Sequence, residues 1–468
     1  MTNKTLIKST PTSIELKKNT STKHTAKHGV YTAIAIMALM TIFSKFIGYV
    51  FNTLLARSLA DRTDLYGEFY LGLRTTVIIA CLLLFGSSQS SIFFLGKYIN
   101  LKKIKHTVSF VRWNLRIVSA TSFAFLLFFG FVIIIITGLH LFNIHAFEKH
   151  SLAIHMLCFA PFVAISSLLS SYLLSHKHPY WYNFFWNGSF YFVGSLMLLA
   201  NIYFFKLPIT SKESLWLFAL SLLGIAMGWT IIVAFIKMPN TLIPSFTFFL
   251  VELKYNIKES KWVKLSSNLA IQQILASLLS AINLYIVEFT ATDKTSTGKY
   301  SAIIVVGGIL YSLGTTLCQL LSADISTLLL KKKRGLLQKV INNINLGTFL
   351  ITLIITIVFC FFSKEILGTF GKNYIDVQIP FIVYSIVMFF GAITRFPRKI
   401  TGLSDNAKYM TKIAILEVLI LIISGIPLTY FFGLIGAAIS FGIVIVFDTI
   451  AFTKIVREKV KIKPLTFF

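Results

Sequence analysis

The chain has 468 residues, 56% of them hydrophobic and 13% charged, with a formal net charge of +27. Soluble domains carry roughly 25% charge, so no water-soluble core absorbs this apolar surplus and a bilayer is its natural solvent. The basic excess lies between apolar runs, which argues against nucleic acid and for membrane topology and anionic lipid headgroups.

The first 29 residues are polar and basic (Lys4, Lys8, Lys17, Lys18, Lys23, Lys27) and read as a flexible cytoplasmic tail. The apolar run behind them is too long for a signal peptide, and no small-residue cleavage site follows it. About 20 apolar residues are needed to cross roughly 30 Å of hydrocarbon. On that rule spans are expected near 32–55, 71–95, 116–139, 152–175, 181–205, 214–237, 263–288, 301–330, 346–363, 378–395, 412–431 and 434–453. The eighth is long enough to tilt or to extend into the cytosol. The last two are separated only by Phe432-Gly433, which predicts a tight hairpin.

The charges test this map. The even-numbered connections and both tails hold 33 Lys and Arg, the odd-numbered connections nine, and Lys45 and Arg74 fall inside spans. That asymmetry places the even connections and both termini in the cytoplasm. No outer loop exceeds about 16 residues, which leaves no room for a large outer catalytic domain. The longest inner connection, Met238 to Trp262, carries Pro239, Pro244 and several lysines and divides six spans from six. The expected organisation is a basic tail (1–29), an N-terminal six-helix lobe (30–238), a cytoplasmic linker (239–262), a C-terminal six-helix lobe (263–455) and a basic cytoplasmic tail (456–468).

The halves repeat. Tyr66-Gly67-Glu68-Phe69-Tyr70 opens the second span and Thr297-Gly298-Lys299-Tyr300 the eighth, a shift of 231 residues that also carries the first span onto the seventh. Six spans per half make the repeat parallel, about an axis along the membrane normal. The fold class expected is therefore an all-α polytopic membrane protein, with twelve transmembrane helices in two six-helix lobes around a central cavity.

Short motifs recur at the repeat's landmarks: Gly48, Leu55-Ala56-Arg57 and Tyr66-Gly67 in the first half; then Gly298-Lys299-Tyr300, Leu367-Gly-Thr-Phe-Gly-Lys-Asn-Tyr374 and Phe432-Gly-Leu-Ile-Gly-Ala-Ala438. This pattern, over roughly residues 30–455, resembles bacterial polysaccharide flippases of the O-antigen type. These belong to the multidrug/oligosaccharidyl-lipid/polysaccharide exporter superfamily. One departure is the loop Ser58-Leu-Ala-Asp-Arg-Thr-Asp64, where the family commonly has leucine-glycine-proline. The resemblance implies a non-enzymatic transporter that flips an undecaprenyl-pyrophosphate-linked oligosaccharide across the bacterial inner (cytoplasmic) membrane for cell-surface polysaccharide biosynthesis. It implies no cofactor beyond a coupling proton or sodium ion. The expected partners are the lipid-linked oligosaccharide, anionic phospholipid and polysaccharide polymerases, around a monomeric transporter. A cation-coupled multidrug exporter of the same superfamily is the nearest rival. A membrane glycosyltransferase or ligase is a further one, against which the short outer loops speak. A lipid scaffold would not require an intramembrane lysine.

Charges inside spans cost roughly 2.5–3.5 kcal/mol each at a helix centre and should face a cavity or a partner. Lys45 is the sharpest case, with Gly48 and Asn52 on its face; it either meets an anionic headgroup or snorkels or pairs with an acid. Arg57 and Arg74 either extend that basic surface toward the outer side or anchor helices at the interface. Asn268, Gln272 and Asn283, with Gln273 beside them, form an amide stripe in the seventh span that suits sugar hydroxyls or helix–helix hydrogen bonds. Of the acids Glu288, Asp324, Glu417 and Asp448, the last is deepest within a span; Asp448 and Glu417 are the ion-coupling candidates. Tyr180-Trp181-Tyr182 and Trp186 read as an interfacial belt, with His176 and His178 as a basic loop. The four cysteines form no CxxC pair, and no phosphate-binding loop, zinc-protease motif or nucleophile elbow occurs.

Overall fold

A computed structural model describes residues 39–59, 62–141, 148–176, 178–237, 260–320, 325, 328–329, 334–404 and 408–465. All regular structure among them is helical. Lipid offers the backbone no hydrogen-bond partner, so apolar spans must bond internally, and a helix does that within one segment.

The elements run α1 (Leu39–Ser58), α2 (Thr63–Leu84), α3 (Ser87–Asn100), α4 (Ile104–Leu141), α5 (Ser151–Met156), α6 (Ala160–Ser175), α7 (Pro179–Asn187), α8 (Ser189–Ala200), α9 (Lys212–Lys237), α10 (Ser260–Thr290) and α11 (Ser296–Leu320). They continue with α12 (Arg334–Phe361), α13 (Ser363–Gly368), α14 (Gln378–Ile393), α15 (Arg395–Leu403) and α16 (Lys408–Ile455). Among the described residues nine helical stretches are long and apolar enough to cross a membrane. One of them, Tyr409–Val460, contains 52 residues and holds both of the last two expected spans. Its helical path breaks at Gly433 (φ 55, ψ −136), where the hairpin was expected. Gly436 completes that turn: a Cβ there would fall 1.8 Å from the Leu428 carbonyl oxygen. At two further expected positions lie the shorter apolar stretch Ser189–Phe205 and α11, neither of which is among the nine. The protein is thus a multi-pass, all-helical membrane protein.

Several expected spans differ in detail: the third and ninth begin well before expected, at Ile104 and Arg334. The second begins earlier and breaks at Phe85 (φ 46) and Gly86 (φ 71), with α3 continuing to Asn100. The break admits α10: a Cβ on Gly86 would lie 2.1 Å from the Ser266 carbonyl oxygen. The fifth is interrupted at Gly188, where Ser44 of α1 approaches; a Cβ there would meet its Oγ at 2.6 Å. The tenth does not stop at Arg395 but turns at Thr394 and continues as α15. Asp324, the run Lys331-Lys332-Lys333 and most of the linker lie outside the described residues.

The two halves of the chain touch at both ends of the bundle. At the end of the odd-numbered connections, α2 crosses α11 at Gly67 and Gly298. There Tyr49 of α1 shares a 2.7 Å hydrogen bond with Thr369, and the rings of Tyr66 and Tyr374 meet edge to face at 6.1 Å. Lys149 pairs with Glu288 at 2.6 Å. At the opposite end, Trp262 donates to the Tyr98 hydroxyl (3.0 Å) and packs against Phe110 and Trp113, while Ser266 donates to Ser90 at 2.8 Å.

Candidate substrate site

Lys45 is mid-helix in α1, twelve residues before Arg57, which at 1.5 Å per residue is about 18 Å from that end. Its ammonium makes no hydrogen bond and no ion pair among the described residues. It lines a cavity of about 190 Å3 between α1 and α11 with Thr41, Tyr49, Ser312 and Thr316. Arg74 of α2 lies within electrostatic reach of Lys45. Arg74 donates to the Tyr70 hydroxyl, its guanidinium lies 4.9 Å from that ring's centre, and it has no acidic partner among the described residues. A second, larger cavity of about 460 Å3 is lined by Leu73 and Val77 of α2 and by Tyr191, a ring within electrostatic reach of Arg74, while Arg74 itself is not part of its wall. Its walls are mostly apolar, with the polar groups of Gln89, Ser166, Ser167, Thr230, Gln273 and Ser280 spaced among them. Lys45 thus faces a mostly apolar cavity that bears hydroxyls, with Arg74 within electrostatic reach, an arrangement that can hold an anionic head on an apolar, hydroxyl-bearing molecule.

The other expected site residues are dispersed. Arg57 is exposed and donates to the Thr369 carbonyl at 2.5 Å, tying α1 to the second half. Asn52 is turned into the bundle, where it accepts from Tyr66 (3.0 Å) and donates to the Gly48 carbonyl (2.7 Å). Gly48 itself packs on the Tyr191 ring. Asn283 donates to the Tyr300 hydroxyl (2.5 Å) and the Ala437 carbonyl (3.1 Å). Both asparagines thus make helix–helix hydrogen bonds, for Asn283 the alternative the sequence left open. Asn268 is exposed and Gln272 half-buried, while Gln273 bonds Ser88 and reaches the large cavity. The amide stripe is therefore not one surface.

Glu417 and Asp448 do come together, 31 residues apart on the two arms of α16. Both accept from Arg398 of α15, at 2.9 and 3.0 Å. Arg395, one turn earlier, places its guanidinium carbon 3.6 Å from the centre of the Tyr311 ring. The sequence reading placed these arginines in a cytoplasmic connection; the structure puts them on α15, where Phe396, Pro397 and Ile400 are buried. Glu68 was also missed. Its buried carboxylate accepts from the amides of Leu152 (2.8 Å) and Ala153 (3.4 Å) and pairs with Lys212 at 3.1 Å, fastening α5 and α9 to α2. In the connection before α11, the Thr295 side chain and amide hold the Asp293 carboxyl below its ordinary range.

No protein-family model and no curated protein sequence matches this chain. Solved structures do. An inward-facing multidrug resistance MATE family transporter of the MOP superfamily aligns with a TM-score of 0.67 at 11% identity, covering 91% of this chain and 98% of that one. The lipid II flippase MurJ in an inward closed conformation aligns at 0.60 and 17%, covering 91% and 88%. An outward-facing MATE family transporter aligns at 0.62 and 13%, covering 92% and 95%. The chain has the fold shared by these MATE family transporters and this flippase.

Proposed function

We propose that the protein flips a lipid-linked, undecaprenyl-pyrophosphate-type oligosaccharide from the cytoplasmic to the outer leaflet of the bacterial inner membrane, for cell-surface polysaccharide biosynthesis. It works by alternating access and makes or breaks no bond. The carrying observation is Lys45: a mid-helix ammonium without an acidic partner among the described residues, lining a cavity and within electrostatic reach of Arg74. A lysine in that position costs free energy unless an anion offsets it. A pyrophosphate supplies the anion, the polyprenyl chain matches the apolar walls, and the scattered hydroxyls and amides suit sugar. Two six-helix lobes rock about the axis of the 231-residue repeat, with the even-numbered connections and both termini in the cytoplasm.

A multidrug exporter is the second reading, favoured by the largely apolar lining of the 460 Å3 cavity. One experiment separates them. Deleting the gene and profiling undecaprenyl-linked glycans should show one species accumulating in the inner leaflet, restored by the wild-type gene but not by Lys45→Ala. A deletion strain with unchanged lipid-linked glycans and new sensitivity to apolar cations would replace the flippase with the exporter.

A further inference from the structure

The acid pair in the C-terminal half is already occupied, and by the chain itself. Arg398 places one terminal nitrogen, Nη1, among three carboxylate oxygens: Oε1 and Oε2 of Glu417 at 2.9 and 3.1 Å, and Oδ1 of Asp448 at 3.0 Å. Glu417 has no exposed surface and Asp448 only 8%. The space left beside them, bounded by Tyr311, Arg395 and Arg398, is about 20 Å3, room for about one water.

Charge decides what else can enter. Arg395 and Arg398 balance Glu417 and Asp448, so the group is formally neutral. An added alkali ion would put three cations against two anions in a poorly screened interior, where like charges repel strongly. The guanidinium is also tethered, so a free ion competes against a high effective concentration. Removing it would leave two buried carboxylates with Arg395 as the one cation beside them among the described residues, and Arg395 is turned onto Tyr311.

We propose that Arg398 is an internal counter-ion filling a cation site built by Glu417 and Asp448. The native chain binds its own guanidinium there instead of Na+, and the site takes an alkali cation only when that side chain is removed. This deepens the transporter reading by removing the acid pair as its sodium-coupling point. It is tested by ion binding alone, so a failed flipping assay leaves it standing.

The full chain in lipid nanodiscs would be unfolded thermally while NaCl replaces N-methylglucamine chloride at constant ionic strength. Wild type should show no Na+-specific shift. Arg398→Gln should gain a saturable rise of several degrees with Na+ or Li+. Adding Glu417→Gln and Asp448→Asn to it should abolish the gain. A Na+-specific rise in wild type that disappears in Glu417→Gln overturns the proposal, as does a folded Arg398→Gln that ignores both ions. Should Arg398→Gln fail to fold, the wild-type titration decides: a flat response supports the internal counter-ion, and a Na+-specific one refutes it.

Discussion

Gly67 and Gly298, 231 positions apart, meet backbone to backbone: a Cβ on Gly67 would fall 2.6 Å from the Gly298 amide nitrogen, and one on Gly298 2.1 Å from the Thr63 carbonyl oxygen. Positions equated by the repeat thus touch each other, as expected where two related elements cross on their common axis. Neither contact can relax by moving a side chain. Gly67→Ala and Gly298→Ala should each destabilise by about 1–3 kcal/mol, the usual cost of overpacking. They should also wedge the odd-connection end apart. Cys81 borders the 460 Å3 cavity and serves as the reporter. With Cys158, Cys318 and Cys360 replaced, an impermeant maleimide added on that side should label Cys81 faster in either variant. Gly224→Ala, where a Cβ meets nothing within 4 Å, is the control that should leave labelling unchanged.

The repeat also places Asn52 on Asn283, and each holds a tyrosine of the helix that follows. If these amides serve packing, their loss should register in stability and not in substrate affinity. Asn52→Leu strands the Tyr66 hydroxyl and Asn283→Leu the Tyr300 hydroxyl. Each should cost about 1–2 kcal/mol, read as a lower unfolding temperature. Binding of a lipid-linked oligosaccharide by the folded fraction should be unchanged; a tenfold loss of affinity with normal stability would make the asparagines sugar ligands.

Where helices lie was largely legible, because hydropathy and charge alternation report burial in lipid directly. Phe432-Gly433 announced its turn; the repeat equated Gly67 with Gly298, but their crossing was not anticipated. Breaks inside spans were not legible: Phe85-Gly86 and Gly188 are set by α10 and α1 passing close by, and no local pattern encodes a neighbour. The site divided the same way. Lys45 was found because a charge in an apolar run stands out. Arg398 was hidden because Lys399, Lys408 and Lys412 around it make the stretch read as a loop. Asn283 was ambiguous and Asn52 was read on the Lys45 face, since an amide's partner is decided by tertiary packing and not by its helical face.

Lys149 and Glu288 join the halves across the odd-connection end, with Thr297 donating to the same carboxylate at 2.6 Å. Glu288 is 10% exposed and Lys149 55%, so screening keeps the pair weak, of order 1 kcal/mol or less. Its use is conformational. Lys149→Glu sets two anions against each other and should favour separation of that end, raising Cys81 labelling from the odd-connection side. The exchange Lys149→Glu with Glu288→Lys should restore the wild-type rate. Equal labelling in all three would mean that the glycine crossing alone sets the closure.

Lys45 sets stability against activity. Its ammonium has no hydrogen bond or ion pair among the described residues, so the empty protein bears a desolvation cost, bounded by the roughly 2.5–3.5 kcal/mol charged for a lysine at a helix centre. Lys45→Met keeps the stem's volume and deletes the charge. It should therefore raise the unfolding temperature while lowering flipping of a labelled lipid-linked oligosaccharide in proteoliposomes at least tenfold. Lys45→Arg should retain most activity, because a guanidinium still meets a pyrophosphate. Added inorganic pyrophosphate or a polyprenyl pyrophosphate should stabilise the wild type and not Lys45→Met. A methionine variant that flips at the wild-type rate would show that the lysine only snorkels, and Arg74 would then be the cation to test in the same way.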